Sequence, residues 1–167
     1  MTETPAQPTS TFITPEALLA HWRGHQRLTR RTLEAFPDEQ LFSFTPAPPM
    51  RSFGTLLLEI INMVEPTLQG LKTGAWPELD WEAIGKEPQP SKTELLGRWD
   101  RSAQVLGEQW PEIPERRFRE VDTAFGMWTQ PGADLVLYLI DNEIHHRAQG
   151  YVYLRLLGAE PPAFYER

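Results

Sequence analysis

The chain has 167 residues, a formal net charge of −7, a sequence pI near 5.1 and no cysteine. That length buries a core without disulfide or metal staples, and the missing cysteines remove disulfide frameworks, thiolate zinc sites and a cysteine nucleophile. The acidic balance argues against nucleic acid as a partner, which needs a basic face.

Residues 1–13, beginning MTETPAQPTSTF, lack a basic segment followed by an apolar stretch, so they read as a flexible lead-in rather than a signal peptide. A single domain is predicted over 14–167. Thr14 is a good N-cap with Pro15 at the first helical position, and a first helix is predicted to about Ala35. Leu18, Trp22, His25, Thr29, Leu33 and Phe36 share its inner face. A proline-rich loop, TPAPPM, follows. The second helix starts near Ser52 and carries a stripe of Leu56, Ile60, Met63, Thr67 and Leu71. Pro66 predicts a kink or break around Val64–Glu65, since an interior proline costs roughly 3 kcal/mol. Residues 74–90, GAWPELDWEAIGKEPQP, read as a long connection.

The third helix opens on SKTE, where Ser91 and Glu94 match a capping box, and ends before Pro111. Leu95, Trp99, Ser102, Leu106 and Gln109 recur along it at helical spacing. Residues 111–131 read as irregular, with a short extended piece within RFREVDTAF. The fourth helix spans Gly132 to Leu157, with Gly158 as its terminator and Pro161 and Pro162 beyond. The expected fold is all-α, a four-helix bundle with a long connection between helices 2 and 3. No stretch is long and free enough of charge to span a membrane, which fits a cytoplasmic protein.

The fourth helix is apolar nearly all round, so it is buried or faces both a core and a partner subunit. Leu135, Leu139, Asn142, His146, Tyr153 and Leu157 share one narrow face at about 100° per residue. Asn142 and His146 therefore fall in the inward stripe, where polar groups need partners. Glu59 borders the core stripe of helix 2 and faces the same interior. Two readings stay open. These three residues hold a divalent ion with positions left for water or substrate, or Glu59 bonds directly to His146 while Asn142 completes the network.

Other polar residues have plainer readings. His21 and His25 lie four apart, but without a third ligand they read as a structural His25, within reach of Glu59 by hydrogen bond, and a partly exposed His21. His145 points about 100° from His146 and suits a helix or subunit contact. Trp76, Trp81 and Trp128 sit in irregular segments and read as cover for the core.

The stretch DNEIHHRAQGYVYLRLLGAEPP resembles the last helix of the DinB/YfiT-like superfamily, whose pattern is a histidine, three residues, then HRGQ, an apolar run and LRxLG. LEAFPDEQLFSFTPAP resembles the end of that family's first helix and the loop after it, and SFGTLLLEIINMVE its second helix. The resemblance implies an up-down-down-up four-helix bundle, commonly a homodimer. It also implies a divalent metal such as zinc, nickel, manganese or iron on three histidines. Those positions are Glu59, Asn142 and His146 here, so two of the three depart from the pattern. Asparagine offers only a neutral carbonyl oxygen, a weak ligand for zinc. Arg147 and Gln149 match the HRGQ motif, and both read as pocket-lining or supporting residues, with Arg147 in a salt bridge. Some branches are similar to thiol-dependent transferases, in which the metal activates a low-molecular-weight thiol. The resemblance thus implies metal-dependent chemistry on a small molecule, and the alternative is a non-catalytic binding or structural protein with a degenerate, metal-free site.

Overall fold

The structure is a computed structural model that describes residues 13–80, 82 and 88–167. Residues 1–12 of the lead-in predicted over 1–13, Trp81 and part of the long connection lie outside the described residues.

Four long helices are described: α1 Pro15–Ala35, α2 Phe53–Thr73, α3 Lys92–Gln109 and α4 Gly132–Leu156. Their ends are set by local chemistry. Thr14 Oγ1 accepts from the Ala17 amide at 3.2 Å, and Ser52 caps α2 in the same way. Ser91 and Glu94 form a reciprocal capping box on α3. Gly158, at φ 78°, turns the chain out of α4 in the left-handed region, and the Ala159 amide donates back to Leu154 O at 2.9 Å.

Two details differ from the sequence reading. α2 runs through Pro66 with no break. The residues flanking the proline, Met63, Val64, Thr67 and Leu68, are all buried, so packing holds the helix across the one missing amide. The extended piece expected within RFREVDTAF is β1 Val121–Ala124, but it pairs antiparallel with β2 Trp128–Pro131, in a stretch expected to be irregular, setting Val121 opposite Pro131 and Ala124 opposite Trp128. Phe125 and Gly126 take positive φ at the turn, and the Met127 amide closes it onto Ala124 O at 3.0 Å. Four-residue strands are too short to show a clear alternation. The hairpin is secured by aromatic packing instead: the Phe125 ring meets Trp76 and Trp128 edge-on.

α1 packs against α3 and α4, and α2 packs against the same two helices. One end of the core holds Trp22, Met63, Leu68, Leu106, Trp110 and Ile140, and the other holds Phe36, Phe53, Leu57, Leu95, Trp99 and Tyr153. On α1 the buried polar residues His25, Gln26, Thr29 and Thr32 fall between the two clusters, and on α2 Glu59 falls among residues of the second. Among the described residues, no helix is long and apolar enough to cross a membrane.

Candidate functional site

The middle of α4 is polar on two adjoining faces. Asn142 and His146 lie one turn apart and face α2. Glu143 and Arg147 also lie one turn apart, rotated by about 100°, and face α1.

On the α2 side, His146 Nε2 lies 3.0 Å from Glu59 Oε1, and Asn142 Nδ2 donates to the same oxygen at 3.4 Å. The other Glu59 oxygen accepts from the Arg51 guanidinium. The Glu59 side chain is 17% exposed and that of His146 5%. Burial alone would raise the Glu59 carboxyl, but hydrogen bonds from His146 and Arg51, with their charges, outweigh it and hold the group at about 2. An ionised carboxylate only accepts, so the Nε2 nitrogen of His146 carries the proton. Its Nδ1 is buried with no hydrogen-bond partner among the described residues. Tyr153 Oη lies 3.1 Å from Arg51 O and 3.3 Å from Gln149 Oε1, donating its single proton to one at a time.

This donor set suits a divalent ion poorly. It offers one carboxylate, one imidazole and one neutral amide. A guanidinium already occupies the second carboxylate oxygen and adds positive charge where a cation would sit. A metal-bound histidine usually anchors its other ring nitrogen to a partner, and His146 Nδ1 has none. Among the described residues, no cluster of three or more histidine, aspartate or glutamate side chains is arranged for a metal.

On the α1 side, Glu143 is fully buried. Thr29 Oγ1 donates to its Oε1 at 2.5 Å and Trp22 Nε1 to its Oε2 at 3.2 Å. Arg147 NH1 lies 3.6 Å from Glu143 Oε1 and donates to Thr29 Oγ1 at 2.9 Å. Burial pushes the Glu143 carboxyl up to about 7, against the pull of Thr29, Arg147 and Trp22. Arg147 NH2 donates to His25 Nδ1 at 2.9 Å and the Arg167 guanidinium lies 3.3 Å from Nε2, so two cations flank the ring and favour its neutral form. Desolvation first, then the charges of Arg147 and Arg167, lowers the His25 imidazole to about 4.

The structure thus brings Glu59, Asn142 and His146 together. His25 does not reach Glu59, because α1 and α2 pack on different faces of α4. Arg147 forms the predicted salt bridge, with Glu143. Gln149 contacts exposed His145 at 2.9 Å and touches the Glu59 cluster only through Tyr153. His21 is exposed and stacks edge-on against His25 at 4.6 Å. Trp76 and Trp128 cover the small core of Ala124, Phe125 and Leu135. Cavities of 210 to 650 Å³ open along the surface of the described residues, and none of these has Glu59, Asn142 or His146 in its wall.

One participant escaped the sequence reading, and the role of another was misplaced. Arg51 lies just outside the α2 cap, and nothing in the chain signals that its side chain reaches two turns along the helix to Glu59. Glu143 was weighed only as a substitute ligand beside Asn142, pointing about 100° away; its pairing with Arg147 had a signal in the i, i+4 spacing.

Comparison with known proteins agrees with this architecture. The DinB family model matches residues 7–167. No curated protein gives a significant match. The crystal structure of a DinB-like protein from Bacillus cereus superposes with a TM-score of 0.74 at 20% identity, covering 93% of this chain and 100% of that one. A DinB-like protein from Bacillus subtilis gives 0.67 at 20% identity, over 90% and 97%. With a family match over nearly its whole length and the same fold in two solved structures, the chain belongs to the DinB family.

Proposed function

We propose that this DinB protein keeps the family fold around a metal-free polar site and acts by binding rather than by metal-assisted chemistry. The observation that carries this is Arg51 on Glu59. The guanidinium neutralises the one carboxylate of the cluster and leaves an incoming cation a single imidazole and an amide. A thiol-transfer mechanism would need an ion on Glu59 and His146 to generate a thiolate, and the Arg51 charge opposes that ion. The metalloenzyme reading retains one supporting observation: Glu59 and His146 meet at 3.0 Å, so an ion displacing Arg51 finds two donors.

Elemental analysis after incubation with zinc, nickel, manganese and iron separates the two. The purified protein should retain no stoichiometric metal. His146→Ala should lower stability by about 1–3 kcal/mol, because Glu59 loses a buried donor, and the loss should be equal with and without chelator. Stoichiometric metal that disappears in Glu59→Ala would overturn the proposal.

We further propose that the protein is a cytoplasmic homodimer of up-down-down-up bundles that pairs through the outer face of α4. Leu137, Tyr138, Val152 and Leu156 are 40%, 41%, 53% and 61% exposed on that face, within an arc of about 100°. They form two exposed apolar pairs, about 20 Å apart along the helix with Asp141 and His145 between them, and such exposed apolar groups on one face suit an interface. Sedimentation should show a dimer that Val152→Glu combined with Leu156→Glu converts to a folded monomer. A wild-type chain that sediments as a monomer at tens of micromolar would refute this.

A further inference from the structure

A groove between α1 and α3, far from the Glu59 cluster in its residues, has the makings of a second site. Its volume is about 350 Å³, and Arg23, Gln26, Arg27, Arg30, Trp99 and Asp100 line it. That volume suits a small ligand.

Arg23, Arg27 and Arg30 fall at i, i+4 and i+7 on one face of α1. In a chain of net charge −7 this is a local concentration of positive charge. Arg30 is committed: its Nε and NH2 bind Asp100 at 2.5 and 3.0 Å, and it also pairs with Glu34. Arg23 and Arg27 have no ion-pair partner among the described residues. The backbone makes room for Arg23. A Cβ on Gly107 of α3 would come within 1.7 Å of its NH2, so the guanidinium lies directly over that glycine.

Gln26 supplies the second, independent observation. It is 4% exposed and lines the groove, yet its Oε1 is buried without a hydrogen-bond partner. A buried, unsatisfied amide oxygen costs about 1–3 kcal/mol. The amide turns readily about its last torsion, so it can meet a donor brought by a ligand. Trp99, whose indole donates to Gln26 O at 3.1 Å, holds this part of the floor in place.

We propose that the α1–α3 groove binds a small hydroxylated oxyanion. Arg23 and Arg27 take its phosphate or carboxylate through charge-assisted hydrogen bonds, and the Gln26 amide takes an adjacent hydroxyl. The Arg30–Asp100 pair closes one end.

Calorimetric titration of the full chain with inorganic phosphate, glycerol phosphate, glycerate and glycerol tests this. Glycerol phosphate or glycerate should bind at least tenfold tighter than inorganic phosphate, and glycerol alone should not bind. Preference between the first two assigns phosphate or carboxylate. Arg23→Ala and Arg27→Ala should each weaken binding tenfold or more without changing the melting profile. Gln26→Leu should abolish the advantage of the hydroxylated anions while sparing phosphate. Gly107→Ala, which displaces the Arg23 guanidinium without touching its charge, should weaken binding too. Absence of binding by all the anions at millimolar concentration, or binding indifferent to Arg23→Ala and Arg27→Ala, would overturn the proposal. The result is independent of the metal content of the Glu59 cluster.

Discussion

Arg147→Ala is expected to destabilise the protein by about 3–5 kcal/mol, the usual cost of removing one partner from a buried ion pair. At this chain length each kcal/mol lowers the melting temperature by roughly 2–4 °C, so the variant should melt far below the parent. Glu143 is fully buried and Arg147 is 6% exposed, so water cannot replace the missing partner. The guanidinium also donates to Thr29 Oγ1, His25 O and His25 Nδ1; its loss leaves His25 Nδ1 without its donor, while His25 O keeps the Thr29 hydroxyl at 3.1 Å. Chemical denaturation above about pH 8, where Glu143 is ionised, reads the effect. The double variant Glu143→Leu with Arg147→Met should recover much of the loss, since hydrophobic replacement of a whole buried pair is often neutral or stabilising. A destabilisation below about 1 kcal/mol would place the pair among exposed ion pairs, contradicting its burial.

The same cluster sets a pH signature. The Glu143 carboxyl is raised to about 7 in the fold, so its contribution is full below the unfolded value of 4.5 and is lost as pH rises through about 7. His25 is lowered from 6.5 to about 4, so its contribution is full above 6.5 and is lost as pH falls toward 4. Between 4.5 and 6.5 the two oppose each other. Glu143→Gln removes the first, and stability should then climb more steeply with pH across that window than in the parent. For Arg147→Ala the sign is also set: its cost should shrink in acid, where Glu143 is protonated and no longer needs a counter-charge.

The sequence made the helix ends legible because capping is local chemistry. Thr14, Ser52, Ser91 with Glu94, and Gly158 act within a few residues of themselves, and each does what its type and position imply. The inward stripe of α4 was legible for the same reason, since a period of 3.6 residues aligns Asn142 with His146. The site was harder wherever a contact depends on how elements meet. α4 packs on both α1 and α2, so it has two inward faces. One helical wheel suggested a single interior and brought His25 toward Glu59, whereas the second face gave His25, Thr29 and Glu143 an interior of their own. Arg51 was illegible because its reach depends on the loop before α2. Of the kink or break expected around Val64–Glu65, the break does not occur, because burial of the neighbours of Pro66 outweighs the lost hydrogen bond.

If the Glu59 cluster is metal-free as proposed, two substitutions should turn it into a zinc site. Two features oppose an ion there: the Arg51 charge on one carboxylate oxygen and the amide at Asn142 in place of a stronger donor. They are separable. Arg51→Ala should free the carboxylate but leave only one carboxylate and one imidazole as strong donors. Asn142→His should supply a third strong donor but leave the competing guanidinium. Combining the two presents a carboxylate and two imidazoles one helical turn apart, on side chains whose polar atoms already converge on Glu59 Oε1 at 3.0 and 3.4 Å. Three protein ligands with an open fourth position form a competent zinc site. The double variant should therefore bind zinc stoichiometrically, and at free zinc of about 100 times the dissociation constant it should gain about 2.7 kcal/mol of stability. Each single variant should gain far less, and the parent nothing. Additive behaviour of the two substitutions would mean that charge and ligand identity act independently. The geometry favours the opposite, because both converge on one carboxylate: removing Arg51 matters only when a third ligand can use the oxygen it releases. A double variant that stays folded and binds no zinc would show that neither the guanidinium nor the amide is the barrier, and that the close approach of Glu59 to His146 is itself too tight to admit an ion.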